Sequence, residues 1–442
     1  MITADYIADL SVIWKQASLV FPYFDRNEVD WDHAYREFLP RVMEAKTPKE
    51  AHLLFAEFMN LLGDGHTDYQ FPVSLLDEIG YMPFSVRYIQ DHYCIDATSP
   101  EYQEYLGAEI YSINQIPFHN LIQELKSYSY HNGNFMPKYR IKLLLPFFLE
   151  KQDNVVETSR GSFSFSLLPS RPNNFCEQML HSLLEYRSLR NGTLDLRLYE
   201  NHILYVRLDD FMYCQAVEEI RKAIDEMPEL SSILFDLREN VGGMTMNGAK
   251  IAELFIPGEF SSCQKRTRSM TGVGLASASQ ISQWSNEEIE KYIADGLSSR
   301  EEIQESLDYM ANKHYDRYIS NHGQPAQEAL FDAPCVILTS RHTVSAAEDF
   351  IAMFRASNRA TVIGTETCGT TGTPFMQKLS CGGWMRICSV GYQLLDGTEF
   401  VGCGIRPDIF CELSTEDFSA GYDRVLETGL SVLKKMIGSG EV

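Results

Sequence analysis

An apolar run that leads through a polar corner into a helical pattern constrains the fold of this 442-residue chain most strongly. The run covers residues 334–339, and its length and composition predict a buried strand. The helical pattern covers residues 346–354, and Ser345 stands at the corner. A strand that passes into a helix is the building unit of an α/β fold. At such a corner a serine side chain lies beside the unpaired N–H groups of the helix start, which favour negative charge.

Two interpretations of Ser345 follow from these residue types. A serine beside free N–H groups can be a nucleophile with its own oxyanion site. Ser345 and Glu348, three residues on, are equally the pattern of a capping box, which only begins a helix. The corner alone does not distinguish them, so the choice depends on the remaining motifs.

Composition describes a globular protein that is large enough for two or three domains. Hydrophobic residues make up 44% of the chain and charged residues 22%. The net charge of −23 at pH 7 argues against nucleic acids and anionic membranes as partners, because both require a basic face. No apolar run approaches the roughly 18–20 residues that cross a bilayer, so no membrane span is predicted.

The N-terminus and the cysteines predict a cytoplasmic protein. Residues 1–6 carry neither a basic segment nor a small-residue cleavage site, so we expect no signal peptide. The 10 cysteines lack paired C-x-x-C spacing, and several lie in strand-like runs, such as Cys335 and Cys388. This distribution favours reduced cysteines in the core over disulfides or a metal site.

Changes in periodicity predict three domains. Residues 1–72 show helical spacing, residues 73–190 contain short strands with turns and a short helix, and residues 191–442 alternate strands with helices. The polar stretch 264–325 is predicted to be an insertion, with a helix over residues 300–318. The expected fold class is α/β, of the α+β kind.

Two local predictions concern the end of the chain. Residues 399–411 are predicted to form a strand that ends in a glycine bend. Residues 416–436 are predicted to form one C-terminal helix, because apolar residues recur there at helical spacing.

A double glycine, Gly242-Gly243, closes the stretch DLRENVGG that begins at Asp236, at the end of a buried-type strand. Glycines let a backbone approach a ligand closely and leave N–H groups unpaired, so they could form one side of an oxyanion hole. A tight strand-to-helix connection explains the same residues without any ligand. The pattern G-x-x-x-x-G-K-[ST] of a phosphate loop is absent.

Two histidines compete for the role of general base. His66 follows the turn formed by residues 63–65, directly after a helical pattern, and such a turn holds a ring at a fixed point. His342 lies three residues before Ser345, but closeness in sequence does not give geometry, because catalytic triads are assembled from distant segments. The alternative for His66 is a histidine in a surface turn, without a role in catalysis.

Two further segments bear on proton transfer. Glu399 and Asp408 could orient a histidine or bind a backbone amine, or they could be turn and surface charges. A Ser–Lys mechanism would require a lysine in the turn 364–372, with its pKa lowered by burial. That turn contains none, and the next lysine is Lys378.

Together and in this order, the motifs resemble peptidase family S41, the C-terminal processing or tail-specific proteases. The matching motifs are GDGHT at 63–67, DLRENVGG at 236–243, SAAE at 345–348, GTETCG at 364–369 and GIRPD at 404–408. The resemblance implies a serine peptidase with a ClpP/crotonase-like catalytic core and an N-terminal helical region. It also implies a small PDZ-like module, to which the stretch GAEIYSINQ at 107–115 is similar.

The resemblance assigns the nucleophile and the oxyanion donors. Ser345 matches the nucleophile of the family. The backbone N–H groups of Ala346 and of Gly242 or Gly243 match its oxyanion donors.

The resemblance also separates two branches by their general base. One branch places a lysine where this chain has Thr370. The other, which resembles the tricorn core peptidase, takes a histidine from the Gly-His segment, and His66 matches it. That branch also uses a glutamate, for which Glu399 is the closest acid, although Val401 stands where the glutamate is most expected.

The sequence thus predicts a serine peptidase that hydrolyses peptides or unstructured chain ends through an acyl-enzyme on Ser345, with His66 as base and Glu399 as orienting acid. No cofactor or metal is implied, and substrates are expected to bind partly by strand addition. Two alternatives stay open: a non-catalytic peptide- or apolar-ligand-binding protein, and an acyl-CoA enzyme of the crotonase type. The oligomeric state is also open, with a homo-oligomer among the alternatives.

Overall fold

The computed structural model describes residues 4–26, 29–190, 192–270 and 272–439, and the chain divides into two compact units. The first comprises Met1–Phe71, Gln264–Tyr318 and Gly372–Tyr392, and the second comprises Pro72–Cys263, Ile319–Thr371 and Gln393–Val442. Helices and several sheets occur together, so the predicted mixed α/β class is confirmed.

Three helices open the described part of the first unit. They are Ala4–Val20, Trp31–Glu44 and Pro48–Asn60. The side chain of Asp30 accepts a hydrogen bond from the N–H of His33 and begins the second of these helices. Thr47 begins the third in the same way. The remaining elements of this unit are the strands Asp68–Gln70, Pro374–Lys378 and Trp384–Cys388 and the helices Gly272–Ile281, Asn286–Ala294 and Arg300–Met310.

The predicted helix over residues 300–318 is too long. The helix ends at Met310, and Asn312 adopts a positive φ of 60°, which a right-handed helix does not allow. The strand Tyr315–His322 follows. In three strands the chain passes from one unit to the other, namely Phe260–Arg268, Tyr315–His322 and Val390–Leu394.

The second unit begins with a β-rich segment, which we define as residues 73–185. One antiparallel sheet has the strand order Phe84–Ile89, His92–Thr98, Cys176–Glu177, and another has the order Ile116–Pro117, Ile110–Ile113, Asn154–Thr158, Gly161–Phe165. The helices of this segment are Val73–Ile79, Phe118–Leu125 and Lys138–Leu144, with short 3₁₀ turns at Pro100–Tyr105 and Leu145–Phe148.

A central sheet follows the β-rich segment in the chain. Its strand order in the described residues is Ile409–Phe410, Thr361–Gly364, Cys335–Thr339, Ser232–Asp236, Ile203–Leu208, Leu194–Tyr199, Tyr186–Arg190. The first five strands are parallel to one another, and Leu194–Tyr199 is antiparallel to both of its neighbours. The helices that accompany this sheet are Ala216–Asp225, Thr245–Ala252, Ala346–Ala356, Thr415–Ala420 and Arg424–Ser439, and Glu200–His202 forms a 3₁₀ turn.

Both faces of the central sheet are covered, which explains why its inner strands are continuously apolar. On one face Phe235 contacts the rings of Phe350 and Phe354 from the helix Ala346–Ala356. On the other face Leu234 and Leu338 cluster with the C-terminal helix.

Two predictions for the end of the chain are corrected. The predicted strand over 399–411 is reduced to Ile409–Phe410, because Gly402 and Gly404 take positive φ angles of 96° and 86° and form turns. The predicted helix over 416–436 is two helices, Thr415–Ala420 and Arg424–Ser439. Gly421 ends the first of them in the left-handed conformation.

The ten cysteines are free thiols, and all of them lie in the described residues. Five are buried: Cys94, Cys263, Cys335, Cys368 and Cys388. Among the helices that the structure describes, none has both the length and the apolar character needed to cross a membrane.

Candidate active site

Two loops of the second unit meet at one edge of the central sheet. The strands Ser232–Asp236 and Cys335–Thr339 are parallel, with Asp236 opposite Leu338. The loops that follow them therefore leave at the same edge, where ligands bind in sheets of this kind. We call residues 238–243 the glycine loop and residues 343–346 the serine turn. The N–H of Val344 donates to the carbonyl of Asn240 at 2.9 Å, which joins the two.

Ser345 has a backbone conformation that helix capping does not require. Its φ and ψ are 59° and −122°, a region that L-residues rarely occupy and that costs about 1–3 kcal/mol. Three other serines begin helices in this chain with φ between −71° and −85°, namely Ser285, Ser299 and Ser414. Since a cap forms without strain at those three positions, the strain at Ser345 needs a further reason.

Gly242 lies directly against Ser345. A Cβ atom on Gly242 would lie 2.6 Å from the Cβ of Ser345, 2.9 Å from the carbonyl oxygen of Val344 and 3.2 Å from the nitrogen of Ala346. Its φ of 90° also favours glycine. The structure thus brings the predicted oxyanion segments together around the serine.

The N–H groups of the two glycines differ in their partners. Gly242 donates to the side-chain oxygen of Asn240 at 2.9 Å, so its N–H is occupied. Gly243 is exposed, and within the described residues neither its N–H nor that of Ala346 has an acceptor. Of the two glycines, Gly243 is therefore the one whose N–H is left for an incoming acceptor within the described residues.

Asn240 holds the glycine loop from the inside. Its side chain is fully buried, and its amide nitrogen donates to the carbonyl of Leu208 at 3.0 Å. The neighbouring Arg238 forms paired hydrogen bonds with Asp236 and with Asp423. The residue types of the DLRENVGG motif thus fix a loop whose backbone, rather than its side chains, faces Ser345.

Glu348 forms the predicted capping box with Ser345 and also anchors the serine turn, which sequence reasoning did not predict. It is fully buried, and one carboxylate oxygen accepts hydrogen bonds from the hydroxyl of Thr367 at 2.5 Å and the N–H of Gly369 at 2.8 Å. The other accepts from the N–H of Thr370 at 2.8 Å and of Ser345 at 3.3 Å. Burial raises the pKa of Glu348 to about 7, although these hydrogen bonds oppose the shift.

Asp349, the next residue of the helix, also holds neighbouring segments by hydrogen bonds. It is also buried and accepts from the hydroxyls of Thr245 at 2.7 Å and Thr371 at 3.1 Å. Two adjacent acids in the apolar helix stretch AAEDFIAMF were the signal in the sequence that could have indicated this role, because buried carboxylates require donors.

His66 lies in the first unit, in a tightly held turn after the helix Pro48–Asn60. The side chain of Asp64 accepts from the N–H of His66 at 3.1 Å and from the hydroxyl of Thr67 at 2.7 Å. Arg386 binds the carbonyl of Gly65 and pairs with Asp68. Burial raises the pKa of Asp64 to about 6. The imidazole of His66 is buried, so its turn is a built structural feature rather than a surface turn.

His342, the competing histidine, lies beside an aromatic ring in a buried environment. It is buried, and its ring meets the edge of Phe135 at 5.4 Å. Burial lowers the pKa of His342 to about 3. An imidazole this weakly basic does not take a proton effectively near neutral pH.

The remaining predicted positions have distinct surroundings. Glu399 is exposed, and its backbone carbonyl accepts from the thiol of Cys403. Asp408 accepts from the N–H of Val362 at 2.8 Å and so anchors a strand of the central sheet. Thr370 is buried, and its carbonyl accepts from the N–H of Ser345 at 2.9 Å.

A cavity of about 490 Å³ lies between the β-rich segment and the central sheet, within the second unit. Val241 and Val344, the neighbours of Gly242 and Ser345, line it. Its wall also contains His342 and the charged groups of Arg87 and Glu239. No cluster of three or more His, Cys, Asp or Glu side chains suited to a metal ion occurs in the described ranges. The serine turn therefore borders a space that can receive part of an extended ligand.

Two family models match parts of this chain. Residues 202–410 match the model of peptidase family S41, and residues 3–60 match the tricorn protease C1 domain. A carboxy-terminal-processing protease of Bartonella bacilliformis is 30% identical over 95 residues. That match spans 22% of this chain and 22% of the relative's own length.

Two solved structures cover nearly the whole chain. The structure of mature CPAF complexed with lactacystin is 13% identical, covers 99% of both chains and has a TM-score of 0.71. The photosystem II D1 C-terminal processing protease is 14% identical, covers 99% of this chain and 98% of its own, and has a TM-score of 0.51. At these identities the likeness establishes the fold.

Proposed function

We propose that this chain is a serine peptidase of family S41, whose model residues 202–410 match, with Ser345 as the nucleophile. The hydroxyl of Ser345 attacks the scissile carbonyl carbon and forms a tetrahedral intermediate, which expels the amine and leaves an acyl-enzyme. Water then hydrolyses the acyl-enzyme and frees Ser345. The N–H groups of Gly243 and Ala346 stabilise the oxyanion, and each such donor contributes about 3 kcal/mol to transition-state stabilisation.

The observation that carries this proposal is the positive φ of Ser345 beside two N–H groups without acceptors in the described residues. A strained serine at a strand-to-helix corner places its hydroxyl next to the helix N-terminus, where developing negative charge is favoured. Neither feature is needed for a helix cap.

We propose His66 as the general base. It removes the proton of Ser345 and returns it to the leaving amine. Three observations support this assignment: the braced turn at Asp64, the low pKa of His342 and the threonine at position 370 in place of a lysine. The role of Glu399 in orienting His66 is also a proposal, and it rests on the sequence motif.

The proposed substrates are peptides or unstructured chain ends. The named activity of the carboxy-terminal-processing relative and the cavity beside Val241 and Val344 support this class. An extended chain can reach the serine turn from that cavity and add a strand to an open sheet edge, which is a common mode of peptide recognition.

The test combines an activity-based label with a peptide library. A fluorophosphonate should label the wild-type protein at Ser345, and Ser345→Ala and His66→Ala should lose both labelling and cleavage. Ser414→Ala is the matched control, because Ser414 begins a helix with an ordinary φ of −85°. It should lose about 1 kcal/mol of stability and keep full activity.

Cleavage that persists in Ser345→Ala would refute the assignment of the nucleophile. A wild-type protein that binds peptides but neither cleaves nor labels would instead support the non-catalytic alternative. Turnover of a thioester without turnover of peptides would support the acyl-CoA alternative.

A further inference from the structure

Glu239 connects the glycine loop to the β-rich segment. Its neighbours Arg238 and Asn240 bind groups near the central sheet, namely Asp236, Asp423 and the carbonyl of Leu208. Glu239 faces the other way. Its carboxylate is 2.6 Å from Arg87 Nη2 and 2.8 Å from Lys138 Nζ. Both cations belong to the β-rich segment.

Four charged side chains are linked by ion pairs at this contact. We call them the charge quartet: Arg87, Asp96, Lys138 and Glu239. Lys138 also lies 3.1 Å from Asp96 Oδ2, and Asp96 accepts from the hydroxyl of Ser85. The quartet carries two positive and two negative charges, so no net charge is left uncompensated.

The quartet is partly shielded from solvent. The exposed fractions of its side chains are 8% for Asp96, 16% for Arg87, 24% for Glu239 and 31% for Lys138. Burial alone would raise the pKa of Glu239, but Arg87 and Lys138 hold it well below its usual range. Charge pairs in such surroundings act over short distances with little screening, and removal of one partner leaves the other without compensation.

We propose that Glu239 is a positioning residue for the oxyanion site, and that Arg87 and Lys138 of the β-rich segment hold it in place. Glu239 lies four residues before Gly243, and the intervening Asn240 is the residue that joins the serine turn. A displacement of the carboxylate therefore moves the N–H of Gly243 relative to Ser345. The inference rests on the proposed peptidase function and adds that the β-rich segment contributes to catalysis.

The test is a double-mutant cycle on full-length protein, with Glu239→Gln, Lys138→Met and the double variant. Kinetics on a cleaved peptide should show kcat about 10-fold lower in Glu239→Gln with KM within about twofold, because oxyanion alignment affects the transition state more than binding. The labelling rate of Ser345 by a small fluorophosphonate should fall in parallel. The loss of kcat in the double variant should be no greater than the loss in the more impaired single variant, because both substitutions disrupt the same contact.

Asp25→Asn is the control for loss of a charge pair in general, because Asp25 is 31% exposed, which is similar to the 24% of Glu239, and pairs with Arg266 within the first unit. It should lower stability in urea and leave kcat unchanged. The proposal is overturned if Glu239→Gln changes KM alone, or if the single losses multiply in the double variant. A wild-type protein that neither cleaves nor labels would refute the proposed function instead, so the two failures are distinguishable.

Discussion

A Cβ atom on Gly242 would lie 2.6 Å from the Cβ of Ser345, so no other residue fits at position 242 while the serine turn keeps its conformation. Carbon atoms without a bond between them approach to about 3.5–4.0 Å. The serine therefore presses against the backbone of the glycine loop, and the two segments position each other.

Gly242→Ala should abolish activity, with a loss of at least about 100-fold in kcat/KM, because the serine turn or the glycine loop must move by roughly 1 Å. Gly161→Ala is the matched control. Gly161 has a similar φ of 110°, but nothing lies within 4 Å of its added Cβ. In urea unfolding, Gly161→Ala should show only the loss that a positive φ causes, whereas Gly242→Ala should lose more stability because of the overlap, and only Gly242→Ala should lose peptide cleavage. Equal activities would show that Ser345 does not need this contact.

Glu348 should make stability depend on pH. Burial raises its pKa to about 7, so between about pH 4.5 and 7 the folded state holds a proton that the unfolded state has lost. The free energy of unfolding consequently falls as pH rises through this window. The glutamine of Glu348→Gln cannot ionise, so the unfolding free energy of this variant should lack this pH dependence. Between about pH 4.5 and 7, the difference in unfolding free energy between wild type and variant should therefore change by up to about 3 kcal/mol.

Urea unfolding of both proteins at several pH values between 4.5 and 7.5 measures this difference. Glu288 occupies the same capping position in an exposed helix, and hydrogen bonds from Ser285 lower its pKa. For Glu288→Gln, the difference in unfolding free energy from the wild type should therefore not decrease between pH 4.5 and 7. Parallel curves for wild type and Glu348→Gln would contradict the prediction.

Asn240→Ala should lower both stability and activity. The fully buried amide donates to the carbonyl of Leu208 and accepts from the N–H of Gly242, and its loss leaves two backbone groups unsatisfied. We expect a loss of about 2–3 kcal/mol in urea unfolding and a clear fall in kcat. Asn134→Ala, at an exposed position, should change stability by less than about 0.5 kcal/mol. Unchanged kcat in folded Asn240→Ala would argue against a fixed glycine loop.

Exposed apolar side chains surround Gly243 and lead us to expect a preference for apolar substrate residues next to the scissile bond. Met212, Met244 and Met246 are 63%, 55% and 58% exposed, and the nitrogen of Met212 would lie 3.0 Å from a Cβ on Gly243. Methionine adapts to varied apolar shapes. Met244→Ala should lower kcat/KM for peptides with Leu or Phe there by about 3–10-fold, in line with the loss of a few methylene contacts.

The control is Met43→Ala, because Met43 is 59% exposed on the helix Trp31–Glu44 of the first unit. Peptide-library profiles of the two variants provide the comparison. A profile of Met244→Ala that matches both the wild type and Met43→Ala would rule out a role of this side chain in selectivity.

Local patterns were sufficient for the strand-to-helix corner at Ser345, because hydrophobic period and turn residues are properties of short segments. They failed at residues 311–318 and 399–408. There the positive φ angles of Asn312, Gly402 and Gly404 ended the predicted elements. Helical and alternating patterns overlap in such short stretches, and side-chain and backbone contacts at a distance decide between them.

The sequence by itself determined the mixed α/β class, the order of the family motifs and the candidates Ser345 and His66. Only the tertiary structure decided that Gly243 rather than Gly242 has an N–H available in the described residues, that His342 is too weakly basic and that Glu348 anchors the serine turn. The physical reason is the same in each case. Residue type states what a group can donate, accept or ionise, whereas burial and hydrogen-bond partners come from residues far away in the chain.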